Sequence, residues 1–186
     1  MLNITNRDLE AATGFTFPQI KRWAVAFLDA DKASGQHSGI PRTYSFEQAV
    51  RIYLGGYLVR NLKFKLIEAR QILNDVTGWL MGKGINVSEW VSFEESKWDG
   101  GYVVQTNYPW MELKVDVGDG GQGRFFYHLQ TIIVKKKLKE PARWQEKYDL
   151  EYMGSRFISS KGPFRSINIV SLVNSLAIRL AQKGSE

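Results

Sequence analysis

The stretch of this 186-residue chain that decides its N-terminal fold is TNRDLEAATGFTFPQIKRWAVAFL, residues 5–28. Thr5, followed three residues later by an aspartate, has the form of a capping box, which predicts the start of a helix. Gly14 is expected to end that helix, because glycine tolerates a positive φ. Thr16 then caps a second helix, with Pro18 in the first turn, where a missing backbone N–H costs little. The stretch therefore predicts two short helices joined by a tight turn, the layout of a helix-turn-helix.

The second helix is expected to have one apolar face and one polar face. Five residues at helical spacing form the predicted buried stripe: Ile20, Trp23, Ala24, Phe27 and Leu28. Four residues lie off that stripe: Gln19, Lys21, Arg22 and Val25.

Two more helices are predicted after a loop. Residues 29–43 contain two glycines and a proline and are interpreted as that loop. Ser45 caps a third helix, and its Gly55-Gly56 pair, costing about 1 kcal/mol each relative to alanine, indicates a close helix contact. A fourth helix is predicted from about residue 65 to 81, stopped by Gly82.

Five short segments in this region resemble the DNA-binding domain of the MerR family of transcriptional regulators. They are residues 4–9 in the first helix, 13–16 in the turn, 20–23 in the second helix, 42–45 before the third helix and 66–73 in the fourth. The resemblance covers about 70 residues and implies a winged helix-turn-helix, in which one helix enters the major groove of DNA.

That layout gives candidate DNA-binding residues: Thr16, Gln19, Lys21, Arg22, Arg42 and Tyr44. The two cations on the second helix would meet phosphates or guanine edges, and the two residues at its N-terminal end would reach the backbone or adenine. Arg42 and Tyr44 would brace the wing against phosphates. An ordinary solvated face for the cations and a core position for the tyrosine remain the alternatives.

The C-terminal half changes to a strand period. Residues 111–117 alternate strictly, and residues 124–134 follow a glycine-rich connection, which predicts a hairpin. Weaker strand patterns lie at residues 90–93, 101–106 and 148–158, and a helix is predicted from about 168 to 182. The predicted fold class is α+β: a four-helix winged helix-turn-helix domain, residues 1–82, followed by a small antiparallel-sheet domain with a C-terminal helix, residues 83–186.

Several features of the second half remain open between a structural and a functional interpretation. Four tryptophans, Trp90, Trp98, Trp110 and Trp144, fit either a small core or a pocket for an apolar effector. The lysines at 135–137 fit a solvated strand end or further phosphate contacts. The apolar stripe of the last helix fits packing on the sheet or a dimer face.

Composition limits the classes of function. The chain has no cysteine and two histidines, so we expect no metal and no disulfide. No apolar run approaches a membrane span and no signal peptide begins the chain, so a cytoplasmic protein without membrane contact is expected. The net charge of +6 suits a polyanionic partner. No phosphate-binding loop or acid/base cluster is found, so neither enzyme activity nor a cofactor is expected.

The sequence thus predicts a regulator that binds double-stranded DNA as a homodimer. A protein-interaction or scaffold module with the same fold is the first alternative. An effector-sensing regulator with an aromatic pocket in the C-terminal half is the second.

Overall fold

The structure is a computed structural model and describes residues 3–28, 42–82, 91–95, 102–106, 110–117, 125–135, 145–153 and 164–183. Its helices are α1 (Asn6–Thr13), α2 (Phe17–Phe27), α3 (Phe46–Arg60), α4 (Leu66–Gly82) and α5 (Ile169–Lys183). Its strands are β1 (Ile4–Thr5), β2 (Thr43–Tyr44), β3 (Val91–Glu95), β4 (Tyr102–Thr106), β5 (Trp110–Val117), β6 (Phe125–Lys135), β7 (Gln145–Met153) and β8 (Phe164–Asn168).

The helix starts lie where the local capping residues predict them. At α1, the backbone N–H of Thr5 donates to Asp8 Oδ2 over 2.8 Å, and the Asp8 N–H donates back to Thr5 Oγ1 over 3.3 Å. At α3, Ser45 and Gln48 form the same reciprocal pair, with distances of 3.0 and 3.2 Å. Gly14 ends α1 at a φ of 69°. The predicted caps of α1 and α3 and the glycine stop are confirmed.

The N-terminal helices share one apolar core. All five residues of the predicted α2 stripe are buried, and α2 packs against α1, α3 and α4. In α4 the sequence predicts an apolar stripe of six residues, of which Ala69, Ile72, Leu73, Val76 and Leu80 are buried and Leu66 is half-buried. Ile52 of α3 is also buried, although the apolar stripe that the sequence predicts for this helix omits it. That predicted stripe consists of Phe46, Ala49, Val50, Tyr53, Leu54, Tyr57 and Leu58.

The glycine pair of α3 lies directly under two aromatic rings of α2. A Cβ added at Gly55 would clash with the ring of Phe27 and come within 2.9 Å of Leu73. A Cβ added at Gly56 would clash with the indole of Trp23. The close helix contact inferred from the sequence is therefore present, and it sets how near α2 lies to α3.

Three antiparallel sheets complete the described structure. β1 pairs with β2, with Ile4 opposite Tyr44, and β3 pairs with β4. The third sheet has the strand order β7-β6-β5-β8, and its β5–β6 hairpin confirms the strand pair expected from the alternating pattern. β8, which pairs antiparallel with β5, is a strand that the sequence pattern missed.

The last helix joins the two halves of the chain. α5 packs on α1 and α3, and it also lies against β3, β4 and β5. Its buried residues belong to the same core as the first four helices: Ile169, Val170, Val173, Leu176, Ala177 and Leu180. The apolar stripe of α5 is thus covered by other elements of the same chain, and its presence does not require a dimer partner. The division after residue 82 stays a prediction, and α5 extends the core of the first part across it.

An α+β architecture with four N-terminal helices, antiparallel sheets and a C-terminal helix is present. Most of the predicted loop that would carry the wing, residues 29–41, lies outside the described residues, and Thr43 at its end lies in β2 and not in a loop. The assignment to the winged helix-turn-helix class therefore stays a prediction.

Candidate nucleic-acid interface

One side of α2 faces solvent along the helix. We call it the α2 outer face and define it as Pro18, Lys21, Arg22 and Val25, all exposed. These positions recur at helical spacing, three and four residues apart, so they lie in one stripe. The opposite side of α2 is fixed in the core, so the outer face is presented by a helix that cannot easily reorient.

The two cations of the outer face differ in their surroundings. The Lys21 ammonium lies 4.8 Å from the centroid of the Phe17 ring, a cation–π contact one helical turn back. Arg22 is exposed and has no hydrogen bond or ion pair with any residue in the described part of the chain. Its guanidinium, with five donors, is thus available to a ligand that carries acceptor oxygens.

The N-terminus of α2 is already occupied by side chains of this chain. The N–H of Thr16 donates to Gln19 Oε1 over 2.9 Å, and the N–H of Phe17 donates to Glu10 Oε1 over 3.0 Å. A carboxylate at a helix N-terminus is favourable, because the helix dipole is positive there. The same carboxylate takes the place that a phosphate would occupy. Thr16 and Gln19 therefore act first as helix-capping residues.

Tyr44 lies in the core and not on the surface. Its side chain is 2% exposed, and its hydroxyl donates to Asn6 Oδ1 over 2.9 Å. Burial raises the pKa of Tyr44, while nearby Arg42 and the bond to Asn6 act in the opposite direction. The placement matches the core alternative, and a phosphate cannot reach the hydroxyl in this arrangement. Tyr44 instead ties β2 to the start of α1.

Arg42 remains at the surface beside that tyrosine. It is half-buried, with its guanidinium carbon 5.4 Å from the centroid of the Tyr44 ring. The ring supports the cation from one side, where cation–π attraction orients it. Arg42 follows directly on the undescribed segment that contains the predicted wing.

Two arginines hold the turn between α1 and α2, and sequence reasoning missed both. Arg60, at the end of α3, donates to the Gly14 carbonyl over 3.0 Å and lies over the Phe15 ring at 5.5 Å. Arg179, on α5, donates to the Ala12 carbonyl over 2.9 Å. Cations at these carbonyls satisfy the unpaired acceptors at the end of α1 and complement its dipole.

Two further arginines, Arg51 and Arg165, also donate hydrogen bonds to backbone carbonyls at or just after the end of a helix. Arg51 donates from Nε to the Phe27 carbonyl over 2.6 Å, at the end of α2, and also contacts Asn74 and Thr77 of α4. Arg165 donates to the Leu62 carbonyl over 2.9 Å. Part of the chain's basic charge therefore stabilises helix ends, and α2 is fixed at both of its ends.

Three of the four tryptophans considered for an effector pocket, Trp90, Trp98 and Trp144, lie outside the described part of the chain, and so do the lysines at 136–137. An open groove of about 650 Å³ does run along α5, lined by Ser171, Asn174, Ser175, Ile178 and Gln182 among others. Its described lining contains no aromatic side chain, so it differs from the aromatic pocket that was considered.

Within the described ranges, no group of three or more His, Asp or Glu side chains is placed to hold a metal ion. No helix in those ranges is long and apolar enough to cross a bilayer. No family model, curated protein or solved structure matches the chain.

Proposed function

We propose that this protein is a sequence-specific DNA-binding regulator in which α2 is the recognition helix. The observation that carries the proposal is the α2 outer face, where Lys21 and Arg22 are exposed on a helix whose other side is buried. A helix that reads DNA must be held rigidly by the rest of the protein, and its charged side must be exposed to solvent. α2 meets both conditions. The preceding helix and tight turn support the proposal, because a helix-turn-helix needs a short helix and a turn before its recognition helix.

The surroundings of α2 support the same proposal. Arginines from α3 and α5 hold the turn before it, and Arg51 holds its last carbonyl. A recognition helix whose angle to the body of the protein is fixed loses less entropy on binding, so its affinity is higher. The order of motifs that resembles the MerR family points to the same helix.

The occupied N-terminus of α2 refines the mode of binding. Because Glu10 takes the helix-end position, the contacts to DNA come from the side of the helix, through Lys21 and Arg22. Arg42 adds a backbone contact from the base of the wing. We include a homodimer in the proposal, because helix-turn-helix regulators commonly read two half-sites one helical turn apart.

The test is selection of bound duplexes from a random DNA pool at two salt concentrations. We expect an enriched palindrome and a steep fall of affinity with salt, because each neutralised phosphate contributes about −0.9 to the slope of log K against log salt. A folded protein that enriches no duplex would contradict the proposal. That result would favour the protein-interaction module, for which no such salt dependence is expected.

A further inference from the structure

We propose that Val25 reads thymine in the DNA site, through apolar contact with the C5-methyl group. The inference rests on the proposed function and deepens it, because it assigns a base preference to one side chain of the α2 outer face.

The first argument is the exposure of Val25. Its side chain is 77% exposed, although it is β-branched and apolar and lies in a helix that buries Ile20, Trp23 and Phe27 in the core. A valine side chain has no hydrogen-bond donor or acceptor. A contact that stabilises a complex through the Val25 side chain must therefore come from an apolar group of the ligand.

The second argument is its position relative to the cations. Val25 follows Lys21 and Arg22 by four and three residues, so all three lie on one face of α2. At a rise of about 1.5 Å per residue, Val25 is displaced by roughly 4.5 to 6 Å along the helix axis. That distance corresponds to one or two base-pair steps of about 3.4 Å.

The third argument comes from the chemistry of the major groove. Guanine, cytosine and adenine present donors and acceptors there, and thymine adds a methyl group. An apolar side chain that is carried into the groove beside two phosphate- or guanine-binding cations therefore gains most from the thymine methyl group. The cations set the register, and Val25 selects a base within it.

The test is a thymine-to-uracil scan of the duplex that the random pool yields. Each thymine is replaced singly by uracil, which removes only the methyl group, and the dissociation constant is measured by fluorescence anisotropy. We expect one position per half-site, one or two steps from the cation contacts, at which the wild-type protein loses about fourfold in affinity. The loss corresponds to about 0.8 kcal/mol for one buried methyl-sized group.

Two variants complete the design. Val25→Ala should show a clearly smaller difference between the thymine and uracil duplexes at that position than the wild type does, because two methyl groups of the side chain are removed. Ile67→Ala, which also removes an exposed β-branched side chain, should keep the wild-type difference, because Ile67 is 81% exposed on α4 and not on α2. Both side chains lie outside the core, so neither variant should disturb folding.

The outcomes separate this inference from the proposed function. An equal uracil effect in the wild type and in Val25→Ala, or a selected site without a thymine-sensitive position, overturns the role of Val25 while leaving DNA binding intact. A pool from which nothing is enriched overturns the proposed function and this inference with it.

Discussion

Because α2 and α3 are in close contact, we expect glycine-to-alanine substitutions at two positions to change the free energy of unfolding in opposite directions. Glycine to alanine inside a helix normally stabilises it by about 1 kcal/mol. At Gly56 the new methyl would meet the ring of Trp23 and, at 2.9 Å, that of Phe15. Overpacking of this kind costs about 1 to 3 kcal/mol. We therefore expect Gly56→Ala to lower the free energy of unfolding by up to about 2 kcal/mol.

Gly78 provides the matched control. It lies within α4, is exposed, and has nothing within 4 Å of the position of an added Cβ. Gly78→Ala should therefore raise the free energy of unfolding by up to about 1 kcal/mol. Urea unfolding followed by far-UV circular dichroism measures both variants. If Gly56→Ala stabilised the protein as much as Gly78→Ala does, the reasoning about the close approach of α2 and α3 would be refuted.

Two further predictions concern the end of α2 and the buried tyrosine. Glu10→Gln removes the negative charge beside the Phe17 N–H, so we expect DNA binding at low salt to become about two- to fivefold tighter. The gain should be smaller at high salt, because salt screens surface charge. An unchanged dissociation constant in anisotropy titrations at low salt would contradict this prediction. Burial raises the pKa of Tyr44 above its ordinary 10.0, so the folded protein favours the neutral phenol. The stabilisation that this preference gives is complete below pH 10 and is lost as pH rises through the folded-state pKa. Tyr44→Phe should lower the free energy of unfolding by about 1 to 3 kcal/mol at neutral pH, because the buried side-chain oxygen of Asn6 loses its hydrogen-bond donor. Between pH 9 and pH 11, the free energy of unfolding of this variant should fall less than that of the wild type. An identical pH dependence of urea unfolding in both proteins would contradict the burial argument.

The parts of the fold that sequence patterns predicted are those encoded locally. Thr5 and Asp8 are three residues apart, and their capping bond depends on little else. The apolar stripe of α2 likewise follows from helical spacing alone. The Gly55-Gly56 pair carried a packing prediction, because two glycines in a helix are costly unless another element lies close.

The missed features depend on contacts between distant residues. Arg179 reaches the Ala12 carbonyl across 167 positions, and Arg60 reaches Gly14 across 46. Nothing near either arginine in the sequence marks it as a helix cap. The strand β8 was missed for a related reason, since its pairing with β5 joins residues about fifty positions apart.

The candidate site was predicted in part. Lys21 and Arg22 are exposed as expected, because they lie off the apolar stripe of α2. Tyr44 shows the limit of such reasoning: an amphipathic side chain fits a surface or a core equally well in sequence, and only the position of Asn6 decides between them. The Glu10 carboxylate at the start of α2 belongs to α1, so the α2 pattern alone gave no sign of it.

The most direct test of the central claim compares two charge-matched double variants on the selected duplex. Lys21→Ala with Arg22→Ala removes two charges from the α2 outer face. Lys65→Ala with Arg70→Ala removes two exposed charges at the start of α4. We predict that the first variant loses specific binding, and that its salt slope falls by about 1 to 2, with urea unfolding unchanged. The second should keep specific binding. Equal losses in both variants, or specific binding retained by the first, would contradict the assignment of α2 as the recognition helix.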